Sequence, residues 1–174
     1  MANGGFITEP IEAGHDATGF GSGVPALDAF LKHHALTNDR RGLGRTFVRR
    51  RRPDEDGLPS IVGFYTLCMA DIDSSSVPAR GLPRYPTPVA LIGRLAVDHR
   101  AQGRGLGADL LVDALARVMG VEATIGCFGC VVDAKSVDAA RFYERFGFVP
   151  IGEAGVPRRM FMAMKTIRSA AAGG

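Results

Sequence analysis

The chain has 174 residues, room for one domain of ordinary size and too few for two. Hydrophobic residues make up 46% and charged residues 22%, which excludes a disordered chain, and no apolar run reaches the roughly 18–20 residues of a membrane span. The net charge is +3, and only three of the 21 cations are lysines, so the positive charge is nearly all guanidinium, the better two-pronged partner for phosphate.

At the N-terminus, Met1-Ala2-Asn3-Gly4-Gly5 lacks the basic stretch and apolar core of a signal peptide, so a cytoplasmic protein is expected. Three cysteines make no disulfide framework. After the turn Gly21-Ser22-Gly23, residues 24–35 read as a helix with Leu27, Phe30, Leu31 and Ala35 on one face and Pro25 in its first turn. Residues 46–51 read as a strand that leaves in the run Arg49-Arg50-Arg51-Arg52, with Arg40, Arg41 and Arg45 upstream. Asp54-Glu55-Asp56-Gly57 then supplies an acidic turn, and residues 60–70, rich in β-branched and aromatic residues, read as the returning strand of an antiparallel hairpin.

Residues 71–88 form an irregular loop with Ser74-Ser75-Ser76, four prolines, Arg80 and Arg84. A strand is expected over 89–97 and a glycine-bearing turn over 99–107. The next helix has Leu106, Leu110, Leu111, Ala114, Leu115 and Val118 on its apolar face and Gly120 as its stop. A strand over 124–133, a helix capped by Ser136 and ended by Gly147, and strands over 148–151 and 159–165 complete the order. No segment repeats, so 1–174 reads as one domain, its ordered core at about 5–166 and a tail at 167–174. Antiparallel strands first and a strand–helix–strand–helix unit later predict an α+β or mixed α/β class, a single central mixed sheet with flanking helices.

Gln102-Gly103-Arg104-Gly105-Leu106-Gly107-Ala108 lies between a strand and a strong helix. Glycines there remove the Cβ atoms that would hold a ligand off the backbone, and the N–H groups and dipole of the following helix favour an anion such as a diphosphate. Arg104 adds a charge. A Walker loop needs Lys-Ser/Thr after its last glycine and is excluded by Ala108-Asp109. A Rossmann turn tolerates Gly103-x-Gly105-x-x-Ala108, but that turn opens a first strand–helix–strand unit, and here an antiparallel region precedes it. The third pattern, Gln/Arg-x-x-Gly-x-Gly/Ala, is met in full by residues 102–107.

One strand later comes Asp133-Ala134-Lys135-Ser136, then Ala139-Ala140-Arg141-Phe142-Tyr143-Glu144-Arg145-Phe146-Gly147-Phe148. Phe142, Phe146 and Phe148 read as core. Tyr143 points about 100° away from Phe142 on the helix, consistent with a side chain aimed at a cleft. On these two blocks the chain resembles the GNAT acyltransferases, whose pyrophosphate loop and Ala-x-x-Phe-Tyr-x-x-x-Gly-Phe segment they match. Pro10-Ile11 through His15-Asp16, Phe20-Gly21-Ser22-Gly23, residues 27–31, Gly44-Arg45-Thr46-Phe47-Val48 and Ile92-Gly93-Arg94-Leu95-Ala96-Val97-Asp98 resemble one branch of that family. Its members are toxins of toxin–antitoxin modules that acetylate the amino group of aminoacyl-tRNA. The loop at 71–88 and the arginine run stand outside the resemblance.

The resemblance implies a sheet splayed into a V that receives acetyl-CoA. It implies a pantetheine arm along Leu95, Ala96 and Val97, and a diphosphate on the N–H groups of Gly103, Arg104, Gly105, Leu106, Gly107 and Ala108, with Gln102 beside them. Asp133 and Ser136 are expected to contact the coenzyme or the acceptor. A backbone N–H near Val97 faces the developing oxyanion, and Tyr143 is the general acid toward the departing thiolate. An α-amine of pKa about 8 needs no strong base. Arg49, Arg50, Arg80, Arg84 and Arg94 are candidates for docking tRNA. A small DNA-binding antitoxin and a homodimer are the implied partners; neither a metal nor a membrane is. Two other readings stay open: acetylation of protein N-termini or small amines, and a module that binds CoA or a partner without turnover.

Other residues read as structural. Cys127-Phe128-Gly129-Cys130 matches C-x-x-C, but on a strand the two thiols face opposite sides, and only Cys68 is left as a third ligand. His33-His34 read as surface, His15-Asp16 as structural, and His99 as a surface residue beside the glycine turn. Met160, Met162 and Met164 read as core or interface.

Overall fold

The computed structural model describes residues 5–173. Its elements are β1 (Glu9–Pro10), α1 (Pro25–His33), α2 (Ala35–Arg40), β2 (Arg45–Arg50), β3 (Ile61–Ile72), β4 (Thr87–Val97), α3 (Leu106–Glu122), β5 (Gly129–Ala134), α4 (Val137–Arg145), β6 (Val149–Pro150), β7 (Arg158–Ala163) and α5 (Met164–Ala172). Single 3-10 turns lie at Ser74–Ser76 and His99–Ala101. The strands form a sheet in the order β1-β2-β3-β4-β5-β7-β6. The β4–β5 pair is parallel, while β1–β2, β2–β3, β5–β7 and β6–β7 are antiparallel, the mixed α/β class expected. Among the described residues no helix is long and apolar enough to cross a membrane.

The chain divides into two compact units, Met1–Cys68 with Arg94–Ala114 and Met69–Gly93 with Leu115–Gly174. In the first, the expected hairpin runs from Arg45↔Leu67 to Val48↔Phe64, and the register shifts between Arg49 and Arg50. Its core joins Phe20, Phe30, Leu31, Val48, Ile61 and Phe64. Phe20 meets Phe64 edge-on at 5.6 Å and Phe30 stacks on it at 6.2 Å. Each such buried ring stabilises by roughly 2 kcal/mol. Gly63 is what lets α3 press onto β3: a Cβ there would lie 2.8 Å from Leu110 Cδ1 and 3.3 Å from the Ala96 carbonyl.

In the second unit, Ala90–Ile92 pair with Cys130–Val132, and β5 pairs with β7 from Gly129↔Ala163 to Ala134↔Arg158. Ile72, Val77, Val89, Val131, Ile151 and Phe161 form its core. A side chain at Gly129 would strike the Met162 carbonyl at 2.4 Å, so the strand starts on a residue without one. Met160, Met162 and Met164 are all buried, as expected, and so is Phe161, so β7 buries both faces.

Several boundaries differ from expectation. The first helix breaks at His34 (φ −125°, ψ −29°), and α2 restarts at Ala35. Gly120 does not end α3: its φ is not left-handed, and the helix continues to Glu122. Residues 124–128 are not strand, because the Thr124 and Ile125 N–H groups both donate to the Val121 carbonyl and close a turn. The last strand stops at Ala163. The residues read as its end and as a tail form α5, anchored by buried Met164 and Ile167.

Candidate active site

The turn after β4 is held by Asp98, a fully buried carboxylate. Its Oδ1 accepts from the Arg100 backbone N–H at 3.0 Å and from Arg100 Nε at 2.9 Å. Its Oδ2 accepts from the Gly21 N–H at 2.9 Å and from Arg100 Nη2 at 3.0 Å. Burial alone would raise its pKa, but Arg100 and the two N–H donors outweigh that and hold it below the ordinary carboxylate value. The His99 N–H donates to the Gly21 carbonyl at 2.8 Å. The Gln102 amide donates to the carbonyls of Ser22 and Val97, both at 3.0 Å. Gln102 thus fastens the bend to the end of β4 and to the segment before α1; its amide donors are spent on the protein.

Gly103 and Gly105 lie at φ +76° and +81°, a region open to glycine at no cost, and nothing stands within 4 Å of where a Cβ would project. The Asp109 N–H donates to the Gly105 carbonyl at 3.1 Å. The N–H groups of Leu106, Gly107 and Ala108 have no acceptor inside α3, and the helix dipole adds partial positive charge there. Bare backbone, open space and orphan donors are what a diphosphate requires, so residues 103–108 fit the coenzyme the sequence implies.

In the other unit, Asp133 on β5 faces Arg159 on β7 and accepts from its Nε and Nη2, both at 2.8 Å. The Arg159 guanidinium holds the Asp133 pKa below its usual value. Ser136 caps α4, its Oγ accepting from the Ala139 N–H at 3.0 Å. That helix carries Tyr143, whose ring sits edge-on to Phe142 at 5.2 Å and to Phe148 at 5.6 Å. Burial, with the Cys130 thiol adding to it, pushes the Tyr143 phenol up to about 12. The phenol is therefore a protonated donor at neutral pH.

The arginines expected to dock tRNA fall into distinct places. Arg49 requires a correction: it is only 5% exposed, and its guanidinium grips both oxygens of Glu55, so it is an internal ion pair rather than a surface contact. Arg50 is exposed and 3.5 Å from Glu9. Arg94 is half-buried, its guanidinium 3.7 Å above the Phe30 ring. Arg80 and Arg84 are exposed in the loop after β3, where Arg84 joins Asp71, Asp73 and Tyr85 around a cavity of about 590 Å³.

The histidines and cysteines keep structural roles. His15 Nδ1 accepts from the Glu12 N–H at 3.0 Å, and its Nε2 lies 2.8 Å from Glu9. Exposed His99 holds the Gly21 carbonyl through Nδ1 at 2.8 Å. Cys127 and Cys130 are buried free thiols whose pKa values burial raises. No group of three or more His, Cys, Asp or Glu able to hold a metal occurs among the described residues. Asp98, Glu55 and Arg159 stand in the sequence as members of a motif, an acidic turn and a strand, and their ion-pair roles emerge only from the structure. Asp98 had a signal, a carboxylate immediately before the turn; Arg159 becomes readable only with the β5–β7 register.

Residues 44–150 match the model of the acetyltransferase (GNAT) domain family. The chain is 41% identical over 136 residues to a tRNA-acetylating toxin of Mycobacterium tuberculosis, covering 76% of this chain and 78% of the relative. Its structure superposes on AtaT complexed with acetyl-methionyl-tRNAfMet with a TM-score of 0.84 and 27% identity, covering 94% of this chain and 98% of the other. A tyrosine-to-phenylalanine mutant of AtaT, bound to acetyl-CoA and the C-terminus of the antitoxin AtaR, gives a TM-score of 0.79 and 27% identity over 94% and 96% of the two chains.

Proposed function

This chain belongs to the GNAT acetyltransferases, and from that premise we propose that it is a toxin that moves the acetyl group of acetyl-CoA onto the α-amino group of aminoacyl-tRNA and so blocks translation. The observation that carries the reading is the bend at 103–108: two left-handed glycines with open space beside them, feeding the start of a 17-residue helix.

Acetyl-CoA supplies the activated acyl group. The N–H groups of 103–108 hold its diphosphate, and the backbone of Leu95, Ala96 and Val97, beyond the last β4–β5 pair at Ile92, takes its pantetheine arm as an added strand. A backbone N–H near Val97 faces the carbonyl oxygen as negative charge grows there. The attacking amine needs no strong base, because an α-amine of pKa about 8 is partly neutral at pH 7. Tyr143 donates to the departing sulfur. With a phenol at about 12, full transfer to a thiolate runs uphill, so the donation is completed as the proton shed by the new amide nitrogen replaces the phenolic one. Asp133 and Ser136, occupied by Arg159 and the Ala139 N–H, frame the end of β5 and the start of α4 and reach a ligand through their remaining lone pairs. Arg50, Arg80, Arg84 and Arg94 are the tRNA-docking candidates that remain.

The same reading takes 1–174 as one catalytic domain, working in the cytoplasm as a homodimer, with a small DNA-binding antitoxin as its partner. The deciding experiment incubates the protein with labelled acetyl-CoA and total charged tRNA, with deacylated tRNA, peptides and small amines in parallel. Label on charged tRNA alone, and growth arrest on expression, support the reading. Label on peptides or small amines but not on charged tRNA overturns it.

A further inference from the structure

The four consecutive arginines are not equivalent. Arg49 is neutralised by Glu55, Arg50 faces Glu9, and Arg51 Nη1 donates to the Leu58 carbonyl at 3.3 Å. Arg52 differs. Its backbone N–H donates to Glu55 Oε2 at 2.8 Å, which fixes its position in the hairpin turn, while its guanidinium donates to no group among the described residues. It lines a cavity of about 170 Å³ with Arg49, Glu55, Leu58, Arg104 and Asp109. The Arg104 guanidinium likewise donates to no group among the described residues.

Arg49 and Glu55 cancel, which leaves Arg52 and Arg104 against Asp109, a net positive lining with two unspent donor forks. At roughly 30 Å³ per water the space holds five or six waters, enough for a phosphate and part of its hydration shell. Planar guanidinium forks suit phosphate oxygens, and the pairing of buried Arg49 with half-buried Glu55 keeps the turn in place before any ligand arrives.

We propose that this cavity takes one backbone phosphate of the RNA substrate, with Arg52 and Arg104 as positioning residues remote from the reacting atoms. The proposal rests on the aminoacyl-tRNA reading and gives the arginine run a function through Arg52, not Arg49. The other phosphate that could enter is the 3′-phosphate of the coenzyme itself, and the kinetics separate the two.

The test uses the full chain and the variants Arg52→Gln and Arg52→Lys. KM for aminoacyl-tRNA is measured at saturating acetyl-CoA over a range of salt, and KM for acetyl-CoA at saturating tRNA. For Arg52→Gln, KM for tRNA should rise about tenfold with kcat unchanged. The slope of log(kcat/KM) against log salt should become shallower by about 0.7–0.9, one phosphate's worth. KM for acetyl-CoA should not move, and Arg52→Lys should regain most of the slope. Unchanged tRNA KM and slope would overturn the inference alone, as would a rise in KM for acetyl-CoA instead. Absence of transfer to charged tRNA by the unsubstituted chain would overturn the functional reading and this inference with it.

Discussion

Tyr143 and Arg49 show how surroundings override the label a residue carries in the sequence. The Tyr143 phenol, pushed up to about 12 by burial, stays protonated across the working range. Tyr143→Phe should therefore lower kcat by about 10²–10⁴ while acetyl-CoA binds as before, because the ring keeps its contacts with Phe142 and Phe148. The pH–rate profile of the unsubstituted chain should rise through about pH 7–8 as the amine loses its proton and show no falling limb up to pH 10. A full-rate phenylalanine variant would remove Tyr143 from the mechanism. Arg49 looked like one member of a solvated basic run. Arg49 pairs in regular register with Gly63 and is buried against Glu55 from the following turn, a placement that no count of charges reveals. Replacing Glu55 by Gln should cost about 3 kcal/mol, read as a lower urea midpoint, because it strands a buried guanidinium.

Among the elements, those governed by local chemistry were legible and those governed by distant contacts were not. The bend at 102–108 and the start and stop of α4 follow from near neighbours: Ser136 Oγ on the Ala139 N–H, and Gly147 at φ +96°. By contrast, β1 is two exposed residues on a sheet edge, one of them proline, and exists only because Glu9 and Pro10 pair with Val48 and Phe47. The helix at α5 follows from burying Met164 and Ile167, and no strong local signal announced it. Two glycines of like composition should behave oppositely. Gly105→Ala forces a side chain into the left-handed region at about 1–2 kcal/mol, and calorimetry should show acetyl-CoA affinity falling about tenfold. Gly120→Ala, in helical backbone with nothing within 4 Å, should raise stability by about 0.5–1 kcal/mol. A stabilising Gly105→Ala would mean that the bend does not need its left-handed residue.

For the whole molecule, the perturbed groups define a pH window. Glu55, held at about 2 by Arg49, and Asp98 and Asp133, lowered by their arginine partners, bind protons less readily folded than unfolded. Their stabilisation is present above about pH 4.5 and fades as the pH falls toward 2. The thiols of half-buried Cys68 and buried Cys127 and Cys130 and the Tyr143 phenol are raised, so the folded chain keeps protons that the unfolded chain releases. That contribution is complete below about pH 8.5 and shrinks as the pH climbs beyond it. The urea midpoint should be level between about pH 5 and 8 and decline on both sides; a midpoint still constant at pH 3 would mean that these ion pairs contribute nothing. The double grip of Gln102 on Ser22 and Val97 also makes the coenzyme's arrival audible at a distance. Deuterium uptake at the Gly21 and Ser22 amides, which are bonded to Asp98 and Asp28, should slow when acetyl-CoA quiets the bend, an isotopic echo of occupancy from residues that never touch the ligand.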